Sequence, residues 1–125
     1  MLVVFHIHQH RTLFHEPTTP LHQNQNIQIL GYQILDKNYR SGRAEVDIIA
    51  QIGPFLVFVE VKSLQKTFHG NPEDRIGEHK KHMLFHAAND YQQDKNWHKE
   101  IRFDAISVNF YPQAIKIEHF EDAFS

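Results

Sequence analysis

The segment Glu45 to Lys62, EVDIIAQIGPFLVFVEVK, limits what this chain can fold into more than any other stretch. It reads as two strands joined by a turn at Gly53-Pro54. In Phe55 to Lys62 side chains alternate across the sheet, so Val57, Val59 and Val61 share one face and Phe58, Glu60 and Lys62 the other. In Ala44 to Ala50 the same rule sets Val46, Ile48 and Ala50 on one face and Glu45, Asp47 and Ile49 on the other. A turn centred between Gly53 and Pro54 brings position 47 opposite position 60, and opposite residues project to the same side. The pattern thus gathers Asp47, Glu60 and Lys62 at one end of an otherwise apolar strand pair.

Two carboxylates at close range resist joint ionisation. A Mg²⁺ or Mn²⁺ ion relieves that repulsion, since hard oxygen ligands suit both ions and leave positions for water and phosphate. The main-chain carbonyl of Val61 would complete the protein's share of ligands, and Lys62 would face the attacking water or the scissile phosphate. The same residues also admit a plainer arrangement, an ion pair of Lys62 with Glu60 or Asp47 at a sheet edge.

Around this centre the chain offers one domain, Ile27 to Ser125, preceded by an arm, Met1 to Asn26, that is poorly defined in sequence. The arm holds His6, His8, His10, His15 and His22 together with Pro17 and Pro20, which oppose a continuous helix. His6, His8 and His10 alternate, and on a strand they would share one face and present three imidazoles to a divalent metal. Ile27 to Leu35 is strand-like and broken at Gly31. Asp36-Lys37-Asn38 reads as a turn, and Arg40 to Arg43 as a basic loop. Asn71-Pro72-Glu73-Asp74 has the form of a helix start, with an N-cap, a proline and two acids. From Glu78 onward Lys80, Met83, Leu84, Ala87, Ala88 and Tyr91 fall on one helical stripe, which puts Lys80 at the head of the buried face, where its ammonium either meets a ligand or, as spacing alone favours, runs out to water. Ile101 to Val108 alternates as a strand. A strand, a helix and a strand in that order predict a parallel pairing with Phe55 to Lys62 and hence a mixed sheet. Ala114 to His119 is expected as an edge strand, and Phe120 and Phe124 as docking aromatics. Arg40, Arg43 and Lys80 are the candidate contacts to substrate phosphates.

Composition narrows the function classes. At 125 residues the chain suits a single domain with a real core. It has no cysteine, which removes disulfides, thiolate metal sites and thiol nucleophiles and points to a cytoplasmic home. Its longest apolar run, Phe55 to Val59, is far below the roughly 20 residues that span a bilayer. The net charge of −2 conceals a basic middle, and neutralising Asp47 and Glu60 with a cation would leave that region open to phosphate.

The order of these features, an Asp closing one strand, Glu-x-Lys on the next and a helix headed by a lysine, resembles the PD-(D/E)xK nuclease superfamily and its Holliday-junction-resolvase-like branch. More closely, GYQILDKNYR (Gly31 to Arg40), AEVDIIA (Ala44 to Ala50), LVFVEVK (Leu56 to Lys62), FHGNPE (Phe68 to Glu73), HKK (His79 to Lys81), RFDAISV (Arg102 to Val108) and IEHFEDAF (Ile117 to Phe124) look like the YraN family of bacterial proteins. The resemblance implies an α/β, restriction-endonuclease-like mixed β-sheet flanked by helices. It further implies Asp47 and Glu60 as ligands of Mg²⁺ (or Mn²⁺), Lys62 as the catalytic lysine, and DNA, branched or single-stranded, as the substrate of phosphodiester hydrolysis. Homodimerisation follows only by analogy with resolvases. One departure stands out: the family opens with a helix bearing a Gly-Glu pair about eleven residues before the block at Gly31. Here that region is TTPLHQNQNIQIL, with no acid closer than Glu16. The alternative is therefore a nucleic-acid-binding chain that keeps the fold without turnover.

Overall fold

The computed structural model describes residues 2–5, 11–15, 26–29, 31–64, 77–112 and 114–125. In chain order the elements are β1 (Leu2–Phe5), β2 (Arg11–His15), β3 (Asn26–Ile29), β4 (Gln33–Ser41), β5 (Ala44–Ile52), β6 (Phe55–Leu64), α1 (Glu78–Asp94), β7 (Ile101–Phe110) and β8 (Ile115–Phe120). Strands β2-β8-β7-β6-β5-β4 form one six-stranded sheet, and β1 pairs in parallel with β3. The sheet is mixed as expected: β5 and β6 are antiparallel, whereas β6 runs parallel to β7 from Leu56↔Ile101 to Leu64↔Asn109. Among the described residues α1 is the sole helix.

The turns follow from glycine at positions that demand it. Gly42 (φ 60) and Gly53 (φ 54) each occupy the first central position of a two-residue hairpin turn, where a positive φ matches the twist of the flanking strands. The Gly53-Pro54 turn sets the β5–β6 register at Ile48↔Val59 through Ile52↔Phe55, as the sequence predicts.

Each face of the sheet carries its own core. On one side α1 lays Leu84, Ala87, Ala88 and Tyr91 over Phe58, Phe103 and Ala105, with Phe120 and Phe124 closing the layer. Phe103 links these aromatics, with ring centroids 5.6 Å from both Phe58 and Phe124. The opposite face buries Ile48, Ala50, Val57, Val59, Ile106, Val108, Ile115 and Ile117 against Ile29 and Tyr32. The helix begins after Gly77 with Glu78 in its first turn, and it ends where Asn96 takes a left-handed φ of 54.

Three expectations need correction. Asp36-Lys37-Asn38 is not a turn: β4 runs straight through it, accommodated by a bulge between Ile34 and Asp36 and by Asn38 at φ 52. Strict alternation in β5 also fails. Val46 joins Ile49 in the helix-side core while Ile48 packs on the far side. The change of face falls beside Asn38, which lies between the register pairs Lys37↔Ile48 and Tyr39↔Val46, so a left-handed residue in one strand rotates its neighbours on both. Finally, β8 is not an edge, because β2 pairs along its outer side from Arg11↔His119 to His15↔Ile115. The proposed helix start at Asn71 to Asp74 and the histidines His6, His8 and His10 lie outside the described residues.

Candidate active site

The β5–β6 ladder stops at Ile48↔Val59, yet both strands continue. Beyond that pair β5 stays with β4 as far as Ala44, and β6 stays with β7 as far as Leu64. The sheet therefore forks, and Asp47 and Glu60 are the first residues on either side of the opening. Asp47 spans the gap by accepting a hydrogen bond at Oδ2 from the Val61 N–H, 2.8 Å away, in place of a ladder partner. An extended residue presents its N–H and C=O to the same neighbouring strand, so the Val61 carbonyl also faces β5.

Glu60 is only 4% exposed. Its Oε1 lies 3.7 Å from Lys62 Nζ on the same strand and 3.4 Å from Lys80 Nζ, which reaches in from the first turns of α1. Its Oε2 is buried with no hydrogen-bond partner among the described residues. Burial first, and the Asp47 carboxylate second, push the Glu60 pKa up to about 7, against the pull of Lys80 and Lys62. Burial likewise raises Asp47, although the Val61 N–H favours its charged form.

These facts test the fit of a hard divalent cation. Two carboxylates whose charged forms burial disfavours, a buried carboxylate oxygen without a hydrogen bond among the described residues and a carbonyl on the same side form a donor set of the required chemistry. The two lysines by themselves do not account for Oε2, because both contact the other oxygen. Among the described residues no three His, Asp or Glu side chains converge, and there the donors are Asp47, Glu60 and the Val61 carbonyl.

The structure thus brings together Asp47, Glu60, Val61, Lys62 and Lys80. It does not bring in the two arginines. Arg40 is exposed and pairs with Glu45 at 3.5 Å, and Arg43 is exposed in the β4–β5 turn. The stripe argument for Lys80 holds: this side chain heads the buried face of α1 and its ammonium is directed at Glu60.

Comparison with known proteins gives the chain its relatives. The profile of the "Uncharacterised protein family UPF0102" matches residues 24–108, a span that contains both arms of the fork and Lys80. The chain belongs to the UPF0102 family, which is the YraN family. The UPF0102 protein of Flavobacterium psychrophilum is 44% identical over 98 residues, covering 78% of this chain and 82% of that protein. The UPF0102 protein of Christiangramia forsetii is 41% identical over 93 residues, covering 74% and 78% respectively. That of Anaeromyxobacter dehalogenans is 39% identical over 95 residues, covering 75% and 71%.

A second polar cluster in this UPF0102 chain has no counterpart in the sequence reading. Asp104, fully buried, accepts two hydrogen bonds from Arg102 (2.9 and 3.0 Å), one from the Asp122 N–H (3.0 Å) and one from His119 Nε2 (2.8 Å). Arg102 also donates to the Tyr32 hydroxyl and lies over the rings of Tyr32 and Phe55. Burial pushes the Asp104 carboxyl up, but the hydrogen bonds from His119 and Arg102 outweigh it and hold the pKa below the usual range. This network sits on the face away from α1. The signal available in sequence was the alternation itself, which placed Arg102 and Asp104 among Ile106 and Val108, a position where two charges survive only as partners.

Proposed function

We propose that the fork is a nuclease active site: the protein is a Mg²⁺- or Mn²⁺-dependent phosphodiester hydrolase of restriction-endonuclease-like fold, acting on branched or single-stranded DNA in the cytoplasm. The observation that carries this reading is Glu60, a buried carboxylate with two lysines on one oxygen and none on the other, set across an open strand pair from Asp47. Asp47, Glu60 and the Val61 carbonyl would hold the cation. Bound there, the ion would neutralise the carboxylates and polarise the scissile phosphate.

The remaining roles belong to the chain itself. Lys62 and Lys80 are about one-third exposed, so their ammonium groups reach both Glu60 and an incoming phosphate. As water adds to phosphorus and the bond to the leaving oxygen breaks, negative charge grows on the non-bridging oxygens. Lysines already fixed beside that position stabilise it without reorganising. Lys62, on the same strand as Glu60, is the better placed to orient the water. Lys80, anchored on a helix, is the better placed to hold the phosphate.

The test is cleavage of end-labelled branched and single-stranded DNA with Mg²⁺ or Mn²⁺. The wild-type chain is expected to cut and Glu60→Gln to lose on the order of 10²–10³-fold, the scale on which loss of one preorganised charge-stabilising group is measured. A second reading, a DNA-binding chain without turnover, is favoured by the convergence of only two acids among the described residues. Tight binding without cleavage under either metal would establish it in place of the first.

A further inference from the structure

Opening the sheet at Ile48↔Val59 leaves residues 44–47 of β5 with β4 as their only strand neighbour among the described residues. A two-stranded ribbon is marginal by itself, so something else must fix the arm that carries Asp47. The contacts lead to α1. At the end of β4 the Ser41 hydroxyl donates to Asp90 Oδ2, one residue before Gly42 begins the hairpin turn. His86, one helical turn before Asp90, places its Nε2 3.4 Å from the same oxygen. Two residues before Ser41, the Tyr39 ring packs edge-on against Tyr91, with centroids 5.1 Å apart at 87°. Ala44 and Val46 turn into the core beneath the helix. Where the ladder to β6 ends, the hairpin is attached to α1 instead.

We infer that Asp90 is a positioning residue: by holding Ser41 it fixes the β4–β5 hairpin on α1 and so keeps the Asp47 carboxylate against the Val61 N–H and opposite Glu60. The functional meaning of that alignment rests on the nuclease reading above, but the alignment itself does not. The same helix supplies Lys80 to Glu60. One rigid element therefore sets both the acid on the free arm and the cation on the opposite one, and the gap of the fork becomes a property of α1. Tyr39 and Tyr91 provide apolar area but no direction, whereas the Ser41–Asp90 bond specifies where along the helix the hairpin tip sits.

The Val61 N–H reports this alignment directly, because its acceptor is Asp47 Oδ2 rather than a ladder carbonyl. Amide hydrogen exchange on the ¹⁵N-labelled full chain, without metal, is therefore the measurement. Asp90→Ala is expected to speed exchange of the Val61 amide at least tenfold relative to amides of the β6–β7 ladder. Asp90→Asn, which keeps an acceptor for the Ser41 hydroxyl, is expected to leave it within about twofold. Ser41→Ala should behave like Asp90→Ala, and Ser41→Thr like the wild type. Unchanged relative exchange at Val61 in Asp90→Ala and Ser41→Ala would overturn the inference. So would a uniform acceleration of all amides, which marks general destabilisation. Mn²⁺ binding to the wild type, followed by electron paramagnetic resonance, is a separate arm: no binding would remove the metal reading while leaving the exchange result to decide the positioning role.

Discussion

The two buried carboxylate clusters of this chain use the same kinds of residue on opposite faces of one sheet, and they are built to opposite ends. Around Asp104 the carboxylate itself is fully partnered, although the other ring nitrogen of its His119 partner, Nδ1, is buried without a hydrogen bond among the described residues. The carboxylate is ionised, an arginine takes both oxygens, a histidine and a backbone amide complete the set, and its pKa is held down. Around Glu60 more is left open: a second carboxylate stands opposite, one oxygen has no hydrogen bond among the described residues, both lysines remain partly in water, and the pKa is pushed up to about 7. The fold could have paired Glu60 as it pairs Asp104. A carboxylate held unsatisfied beside an opening in the sheet is stability forgone, and such sites are where ligands bind.

The largest effect separating the clusters is expected from Asp104→Ala. It strands Arg102 and His119 in an apolar layer, and breaking a buried charged pair from one side costs about 3–5 kcal/mol. Urea denaturation at pH 7 should show a loss of this size, and a loss under 1 kcal/mol would mean that the network is decoration. The pH dependence follows from the depressed pKa. Asp104 contributes its stability above the unfolded value of 3.8, and that contribution is lost as pH falls through the lower folded value, so wild type and variant should converge in strong acid.

Glu60→Gln should move stability the other way. With the folded pKa raised from 4.5 to about 7, the folded state binds more protons than the unfolded state between those values. Stability contributed by Glu60 therefore declines as pH rises across that window, and the ionised residue is a burden at pH 8. Without metal, Glu60→Gln is expected to be more stable than wild type at pH 8 by on the order of 2 kcal/mol, and equal to it below about pH 4.5. Mg²⁺ should narrow the gap by stabilising the wild type alone, by about 1.4 kcal/mol at ten times its Kd. A variant that is less stable than wild type at pH 8 would place Glu60 in the same class as Asp104.

How far each cluster could be seen in the sequence differs for physical reasons. That Asp47 and Glu60 are neighbours was legible because a Gly-Pro turn fixes the register, but the fork itself was not, since the same register carries the ladder through positions 47 and 60 and the ladder stops at Ile48↔Val59. Lys80 was legible because helical period places it on the buried stripe. The Asp104 network was not, since Tyr32, Arg102, Asp104 and His119 come from a loop and two strands whose relation depends on the whole β6–β7–β8 order. Nor was the change of face in β5. It turns on Asn38 adopting a left-handed φ within a strand, where Asp36-Lys37-Asn38 has the composition of a turn. The sheet was predicted as mixed from the β6–α1–β7 order, while the strand from residues 11–15 could not be placed, because its partner β8 is more than a hundred residues away in sequence.

The finest distinction lies in how each carboxylate uses its cation. Arg102 is locked between Asp104, Tyr32 and Phe55, but Lys80 has 38% of its side chain in solvent. Lys80→Met should therefore change stability by less than about 1 kcal/mol, as expected of a partly solvated ion pair. Its effect should appear in titration instead. Lys80 is the largest influence holding the Glu60 pKa down, so its removal is expected to carry that pKa above about 7, followed by ¹³C carboxyl NMR. If the pKa stays where it was, Lys62 alone sets the charge of the fork, and the helix serves the site only through the hairpin it holds.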